Sequence, residues 1–378
     1  MTRRDMSRIL AGVANCANPA AGVAQLAARE RNTSRILAMD VGASTQDILL
    51  YEEGWPVENC VKLVLPSWTR VLARRIERAT REGQPIFLTG NLMGGGPCVS
   101  AMKRHLRAGY KVYATSHAAK TVRDNLDQVR ELGIEIVQEP PDDEGLLTLR
   151  TRDVDLDTLR NMLVPFFGVE LPSTVAIAVQ DHGEALTTSQ RRFRFQHWRA
   201  FVEGGGDLRD LIYDEVPPYL TRMRAVQEDA PGALMMDTGA AAIWGALQDP
   251  GVAAHQEQGL VVVNVGNAHT VGVLLQDGHI WGLFEHHTAL MSAEKLADVV
   301  ARLRAGALSN DEVFADNGHG AFVHPDCPEG FPFVAVTGPH RAMAAPLDYY
   351  MAVPYGDMML SGCFGLVAAT KALLEHAS

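Results

Sequence analysis

The sequence predicts an α/β protein of two related domains closing over a cleft, and three observations carry that reading. First, two segments near opposite ends of the chain repeat a strand, glycine-loop, strand pattern. In Arg35 to Tyr51, Ile36–Asp40 leads through Val41-Gly42-Ala43-Ser44-Thr45 to Ile48-Leu49-Leu50; in Gly259 to Phe284, Leu260–Asn264 leads through Val265-Gly266-Asn267-Ala268-His269-Thr270 to Val271–Leu275. A β-branched apolar run reads as a buried strand, and a glycine past its polar end lets the backbone turn back. Such a loop can aim N–H groups and hydroxyls at a phosphate, so two copies facing each other would form a clamp. Second, the rest of the chain alternates short apolar strands with amphipathic helices. Third, 378 residues that are 47% hydrophobic and 21% charged can bury a large core and suit two domains.

The elements follow in order. Residues 1–34 are Ala-rich but broken by Arg, Asn, Pro19 and Glu30, so they lack the apolar centre of a signal peptide and read as a helical or partly ordered extension. Strands are expected at Ile36–Asp40, Asp47–Tyr51 and Asn59–Leu65, and Ser67 then caps a helix facing inward through Trp68, Leu72, Ile76 and Ala79. A strand at Ile86–Leu88 leads to the Gly94-Gly95-Gly96-Pro97 loop and a helix carrying Val99, Met102 and Leu106. Tyr110–Tyr113, Ala118–Leu132 and Ile134–Val137 read as strand, helix and strand, and the acid- and Pro-rich stretch Pro140–Gly145 as a surface loop. Thr174–Val179 is a buried strand ending in Gln180-Asp181-His182-Gly183-Glu184, with a basic helix at Ser189–Phe201. After Ala233–Met236, Asp237-Thr238-Gly239 opens a small-residue helix to Leu247; Ser292 caps a helix whose Leu296, Val299, Val300 and Leu303 share one face. Leu308–Phe331 reads as a long loop, Phe333–Val336 as a last strand, and Gly362–Leu374 as an Ala- and Gly-rich helix able to approach a sheet closely.

This motif order resembles the superfamily of actin, the Hsp70 chaperones and the sugar and acyl kinases. Asp40 to Thr45 resembles its first phosphate loop, Asn264 to Thr270 its second, Gly239 to Gly245 its hinge helix, and Val334 to Gly338 its adenosine-binding strand and turn. The resemblance implies two ribonuclease-H-like (actin-like ATPase) domains, residues 35–238 and 239–378, with the terminal helix able to return to the first, closing over ATP and Mg²⁺. More narrowly, the chain resembles a family loosely labelled pyruvate formate-lyase-activating. The cysteines contradict that label: a radical activase needs a Cys-x3-Cys-x2-Cys cluster site, and Cys16, Cys60, Cys98, Cys327 and Cys363 have no such spacing.

On that resemblance Asp40 would orient metal-bound water, while Gly42, Ser44, Thr45, Asn264, Gly266, Asn267, Thr270, Thr337 and Gly338 would hold the nucleotide. An Asp ending a buried strand is costly unless it is paired, solvated or near a metal; the plainer reading is a turn cap. Asn264 stands where the superfamily carries an acid, which keeps binding but puts hydrolysis in question. Asp181, Gln180 and His182 are the candidates for acid/base work or water positioning, against a polar loop with a helix cap; a rival alignment puts Thr89-Gly90-Asn91 there. Loop histidines 182, 269, 286, 287, 319, 324 and 340 could converge as metal ligands or proton carriers, although none has helical His-x3-His spacing and local hydrogen bonding is the simpler role. The Gly94–Gly96 loop could cradle a second phosphate or simply pack closely.

A formal net charge of −11 disfavours nucleic acid and anionic membrane as partners. An odd, scattered set of five cysteines suits a reducing compartment, so cytoplasm is expected. No stretch reaches the roughly 18 to 20 uninterrupted apolar residues of a membrane span. Three functions remain: an ATP-dependent enzyme that hydrolyses ATP or transfers its phosphoryl group to a small molecule, a nucleotide-dependent activator or sensor acting on a partner protein with little turnover, and a metal-dependent enzyme that kept the fold but lost ATP. An oligomer is compatible with all three.

Overall fold

The computed structural model describes residues 33–185 and 189–376; most of the expected N-terminal extension, with Cys16, lies outside them. The first sheet has strand order β3-β2-β1-β8-β10-β9, from β1 (Arg35–Val41), β2 (Thr45–Glu52), β3 (Val61–Pro66), β8 (Thr174–Val179), β9 (Ile212–Tyr213) and β10 (Leu234–Met236). β1, β2 and β3 form an antiparallel meander, and β8 and β10 continue the sheet in parallel on the far side of β1. The second sheet repeats this plan: β11 (Leu260–Val265), β12 (His269–Gln276) and β13 (His279–His287) form the meander, and β15 (Phe333–Thr337) and β16 (Tyr350–Met351) continue it in parallel. A meander of three strands with two parallel strands beyond the first, built twice in one chain, is the paired ribonuclease-H-like architecture of the actin-like fold.

What differs between the two halves is the connection after the third strand. In the first half it carries a separate parallel sheet, β6-β5-β4-β7, from β4 (Ile86–Gly90), β5 (Val112–Ala114), β6 (Ile134–Ile136) and β7 (Leu147–Thr151). Helices α1 (Trp68–Glu82) and α2 (Gly96–Arg107) enclose that sheet's own core, where Leu72, Ile76 and Ala79 pack with Met102, Ile86 and Leu88. Gly83 in the left-handed conformation ends α1 and donates to the Ala79 carbonyl. The expected helix over Ala118–Leu132 is interrupted: Asn125 accepts from the N–H groups of Asp127 and Gln128 and starts a fresh turn, leaving Thr121–Asp124 as a loop. β7 and α3 (Leu156–Phe167) were not foreseen, although Asp155 accepts from Thr158 at the start of α3 and left-handed Gly168 ends it.

In the second half the connection holds the helix Ala293–Arg304 and the segment expected to be a long loop. That segment is structured: Ser309 and Glu312 form a capping box that starts α8 (Asn310–Ala315), and β14 (Gly320–Val323) pairs with β13. The remaining helices are α4 (Gln190–Glu203), α5 (Thr221–Asp229), α6 (Thr238–Ala246), α7 (Ala293–Arg304) and α9 (Ser361–His376).

α6 and α9 cross between the two sheets. A Cβ on Gly245 would lie 1.8 Å from the Ser361 carbonyl oxygen, and one on Gly365 would lie 1.9 Å from that of Ala241, so the helices meet backbone to backbone. The close approach expected of the Ala- and Gly-rich helix is therefore made mainly to another helix. Among the described residues one helical stretch, Met358–Glu375, is long and apolar enough to cross a membrane, and 56% of it is buried inside the protein.

Candidate functional site

The two meanders turn toward each other. At the first turn the Gly42 N–H donates to the Thr45 carbonyl at 2.8 Å; at the second the Gly266 N–H donates to the His269 carbonyl at 3.0 Å. The N–H of Ser67 holds the Ser44 carbonyl at 3.2 Å, and that of Thr288 holds the Ala268 carbonyl at 2.9 Å. The turns thus match residue for residue, Asp40 with Asn264, Gly42 with Gly266 and Thr45 with His269. Both line one cleft of about 540 Å³. With the carbonyls tied back, the N–H groups of Ala43, Ser44, Asn267 and Ala268 make no hydrogen bond among the described residues.

Strand register decides which neighbours share the cleft. Asp40 lies directly across from Asp47, and both line the cleft; the corresponding pair on the other side is Asn264 and Val271. Burial, with Asp47 and Asp237 nearby, holds the Asp40 carboxyl well above the usual range. Burial also pushes Asp47 up to about 7, with Thr45 opposing and Asp357 adding to the rise. One oxygen of each, Oδ1, is buried without a partner. Gly362 is needed at this point, since a Cβ there would lie 2.0 Å from Asp40 Oδ2. Asp47 was absent from the sequence-level candidates, and its opposition to Asp40 across a four-residue turn is the signal that could have found it.

Thr270 and Thr337 lie away from the cleft. The Thr270 hydroxyl meets that of Thr288 at 3.0 Å, and the Thr337 hydroxyl meets that of Ser361 at 3.1 Å, both fully buried. Strand alternation explains Thr270: it is one residue past His269 and so belongs to the opposite face. Gly42, Thr45, Asn264, Gly266, Asn267 and Gly338 line the cleft, whereas the half-buried Ser44 is not among its lining residues. Gly338, at φ 99°, leaves room for Asn264, whose Oδ1 would lie 2.5 Å from a Cβ.

The segment after β8 enters the cleft through Gln180, Asp181 and His182. Asp181 is committed to the backbone: Oδ1 accepts from Gly183 at 2.8 Å and Oδ2 from Met223 at 2.9 Å. This geometry gives Asp181 the work of bracing the loop, and with both oxygens occupied it is poorly placed to collect a substrate proton. Gln180 Nε2 donates to Glu285 at 3.0 Å. The rival segment Thr89–Asn91 lies at the inserted sheet, where Asn91 bonds Ala225 and Glu228, and it is not among the cleft-lining residues.

Beneath this loop sits a buried charge network. Arg194 on α4 donates through Nε to Glu285 at 2.8 and 3.0 Å, through Nη1 to Asp237 at 2.7 Å and the Asp181 carbonyl at 2.7 Å, and through Nη2 to Asp237 at 3.1 Å. Burial alone would raise the Glu285 carboxyl; Arg194, His319 and His269 overturn that and hold it well below the usual range. The network ties the helix after β8 to the cap of α6 and to β13, and thereby joins the two halves. From sequence Asp237 was read only as the opening of a helix, and Arg194 was passed over because a lone Arg in a basic helix looks like a solvated one.

Beside the network four histidines converge. His182 follows β8, His269 opens β12, His287 ends β13 directly opposite His269, and His319 immediately precedes β14. An antiparallel ladder brings the start of β12, the end of β13 and the start of β14 to one sheet end, and β8 of the other sheet points at it. Of the remaining loop histidines, His286 faces Asp316 and Lys295, and His324 lies against Trp281. Burial, acting before the nearby charges, lowers His269 to about 4 and His319 to about 3, and His182 well below its usual value.

The far wall of the cleft comes from the inserted sheet, through Gly94–Gly96, Lys120 and Arg123. Asp153 fixes the glycine loop: it accepts the Gly94 N–H at 3.1 Å and is held by Arg222 at 2.8 Å.

The duplicated meanders and the cleft between their turns define a protein of the actin-like, ribonuclease-H-like class. Residues 93–343 match the family described as "Putative pyruvate format-lyase activating enzyme (DUF1786)", and the chain belongs to that family. No curated protein matches the chain by sequence. Among solved structures it is similar to an inorganic polyphosphate/ATP-glucomannokinase from Arthrobacter sp. strain KM, at 11% identity and TM-score 0.36, covering 91% of this chain and 100% of that one. It is also similar to a ROK hexokinase from Thermus thermophilus, at 10% identity and TM-score 0.30 over 90% and 99% of the two chains. A psk41 ParM protein aligns at 11% identity and TM-score 0.34 over 92% and 99%.

Proposed function

We propose that the chain binds a nucleoside triphosphate and a divalent cation across this cleft and hydrolyses the terminal phosphoanhydride or passes the phosphoryl group to a small molecule. The observation that carries the reading is the pair of matched turns whose residues Ala43, Asn267 and Ala268, each with an unsatisfied backbone N–H group, line one cleft. Backbone N–H groups in such a turn form an anion cradle. The amides of Ala43, Asn267 and Ala268 and the Thr45 side chain would hold phosphate oxygens. Asp40 and Asp47, each with an unpartnered oxygen, fit a hard cation such as Mg²⁺, which takes one or two carboxylates and otherwise phosphate and water oxygens. Bound there, the nucleotide would supply the bond to be broken and the cation would neutralise charge developing on phosphate oxygens. Gln180, whose amide nitrogen is held by Glu285, keeps its carbonyl oxygen to orient a water or hydroxyl. Gly94–Gly96, Lys120 and Arg123 would form the acceptor side.

A reading with slow turnover, as an activator acting on a partner, is favoured by the fixed state of Asp181 and by Asn264 and Val271 replacing the acid pair in the second turn. The activity in the family's description fits the residues poorly: Cys60, Cys98, Cys327 and Cys363 are free and spread over three separate hydrophobic clusters, with no three of them placed to hold one iron–sulfur cluster.

The test is a melting-temperature screen of nucleotides crossed with Mg²⁺, followed by phosphate release. Stabilisation by nucleoside triphosphate that needs Mg²⁺ and is lost in Asp40→Asn supports the reading. No shift at millimolar nucleotide overturns it. Phosphate release above background then separates the enzyme from the activator.

A further inference from the structure

The histidines at the edge of the cleft form a feature that nucleotide binding does not use. The ligand atoms of His182, His269 and His319 all lie within 4.8 Å of one another. Both ring nitrogens of His269 and both of His319 are buried without a hydrogen-bond partner, and His319 is only 1% exposed. Leaving four such nitrogens unsatisfied is costly, and buried polar groups in a protein interior are normally paired. The ring centroids are 4.8 to 5.7 Å apart, with interplanar angles between 45° and 62°, so the rings are not stacked on each other.

We propose that His182, His269 and His319 form a binding site for a first-row divalent transition metal such as Zn²⁺, with a coordination position open to the cleft. Imidazole nitrogens bind such an ion at about 2.0–2.1 Å, which sets nitrogens about 3.4 Å apart in a tetrahedron, so the cluster closes by movements on the order of 1 Å. The donor set selects the metal: three neutral nitrogens suit Zn²⁺, Co²⁺ or Fe²⁺, whereas Mg²⁺ takes oxygen and belongs with Asp40 and Asp47.

The surroundings supply what a metal-bound histidine needs. Glu285 Oε2 lies 3.8 Å from His319 Nδ1, so a shift of under about 1 Å would let it accept that N–H and leave Nε2 for the metal. Glu285 is fixed in turn by Arg194 and Gln180. The segment carrying His319 into β14 is braced by Arg191, which donates to the Gly318 carbonyl at 2.6 Å, and by the His319 N–H, which donates to the Glu285 carbonyl at 2.9 Å. His182 and His269 line the cleft, so a fourth ligand, water or an oxygen of a bound substrate, reaches the ion from there. Three protein ligands with one position open is the pattern of catalytic rather than structural zinc. The site draws its ligands from both halves of the molecule, and metal binding would hold the cleft partly closed.

The proposal stands apart from the nucleotide reading, because it is tested without nucleotide. The full chain, stripped with chelator, is titrated with Co²⁺ while the visible absorption is followed. One equivalent should bind with the bands of a four- or five-coordinate nitrogen site, and Zn²⁺ should displace it. The His269→Ala/His319→Ala variant should bind at least 100-fold more weakly. X-ray absorption of the Zn²⁺-loaded wild type needs no variant to fold and should give about three imidazole nitrogens near 2.0 Å. No saturable Co²⁺ binding, an all-oxygen shell, or equal binding by the double-histidine variant would overturn the site.

Discussion

Removing Arg194 should do more damage than any other single change near the cleft, and the reason is what it leaves behind. Arg194→Met keeps much of the side-chain volume but deletes the donors to Glu285, Asp237 and the Asp181 carbonyl. Glu285 is 0% exposed, so it cannot recover its lost partner from water. Breaking a buried ion pair by removing one partner costs about 3–5 kcal/mol, a large share of the 5–15 kcal/mol by which proteins are stable. Asp237 still caps α6 through its bond to the Gly239 N–H, so the loss should concentrate on Glu285 and the Asp181 loop. Urea unfolding followed by far-ultraviolet circular dichroism measures the loss. Adding Glu285→Gln to Arg194→Met should recover part of it, because the neutral amide no longer carries an unpaired buried charge. The wild type adds a pH arm: Glu285 has a depressed folded value, so its contribution is present above its ordinary value near 4.5 and is lost as pH falls toward the folded one. A loss below about 1 kcal/mol for Arg194→Met, or a double variant weaker than the single, would refute the reasoning.

Other outcomes follow from the same geometry. Gly245→Ala and Gly365→Ala should each destabilise by about 1–3 kcal/mol or more, since the new methyl meets backbone in the partner helix and only a helix shift relieves it; equal unfolding midpoints would contradict the crossing. The metal-free protein should lose stability as pH falls from about 6.5 toward 4, because His269 and His319 stay neutral when folded but take up protons when unfolded. The slope is up to about 1.4 kcal/mol per pH unit for each, and the double-histidine variant should flatten it. Asp47 works in the other sense: its folded value is raised, so stability falls as pH rises from about 4 to about 7, and Mg²⁺ should stabilise the protein more at pH 8 than at pH 6. Asp47→Asn should remove that pH dependence in a melting-temperature series.

The strands of both meanders and their turns were legible because apolar runs, glycines and β-branched residues act locally. That Asp40, Gly42 and Thr45 face Asn264, Gly266 and Asn267 across one cleft follows from duplication, and duplication is visible in one dimension. Side-chain direction at the two ends of strands was not: Thr270, near the start of β12, and Thr337, at the end of β15, lie one residue from the cleft face and are buried in the core. Leu308–Phe331 looked like a loop because its Gly, Asn and Asp residues mask a capping box made by Ser309 and Glu312 and a strand paired to a distant partner. The same segment delivers His319, so the histidine cluster was only a list of loop residues until the β13–β14 pairing was known. Asp181 shows the converse, since an acid at a strand end reads as chemistry from sequence while its two backbone partners, which brace the loop, leave no pattern there.

The most direct measurement of the central claim is a crystal structure of the full chain with a non-hydrolysable nucleoside triphosphate and Mg²⁺. The account expects phosphate oxygens on the amides of Ala43, Asn267 and Ala268, with the cation between the phosphates and the Asp40–Asp47 pair. Phosphates bound elsewhere, or a cleft that stays empty at millimolar nucleotide while the chain is folded, would contradict it.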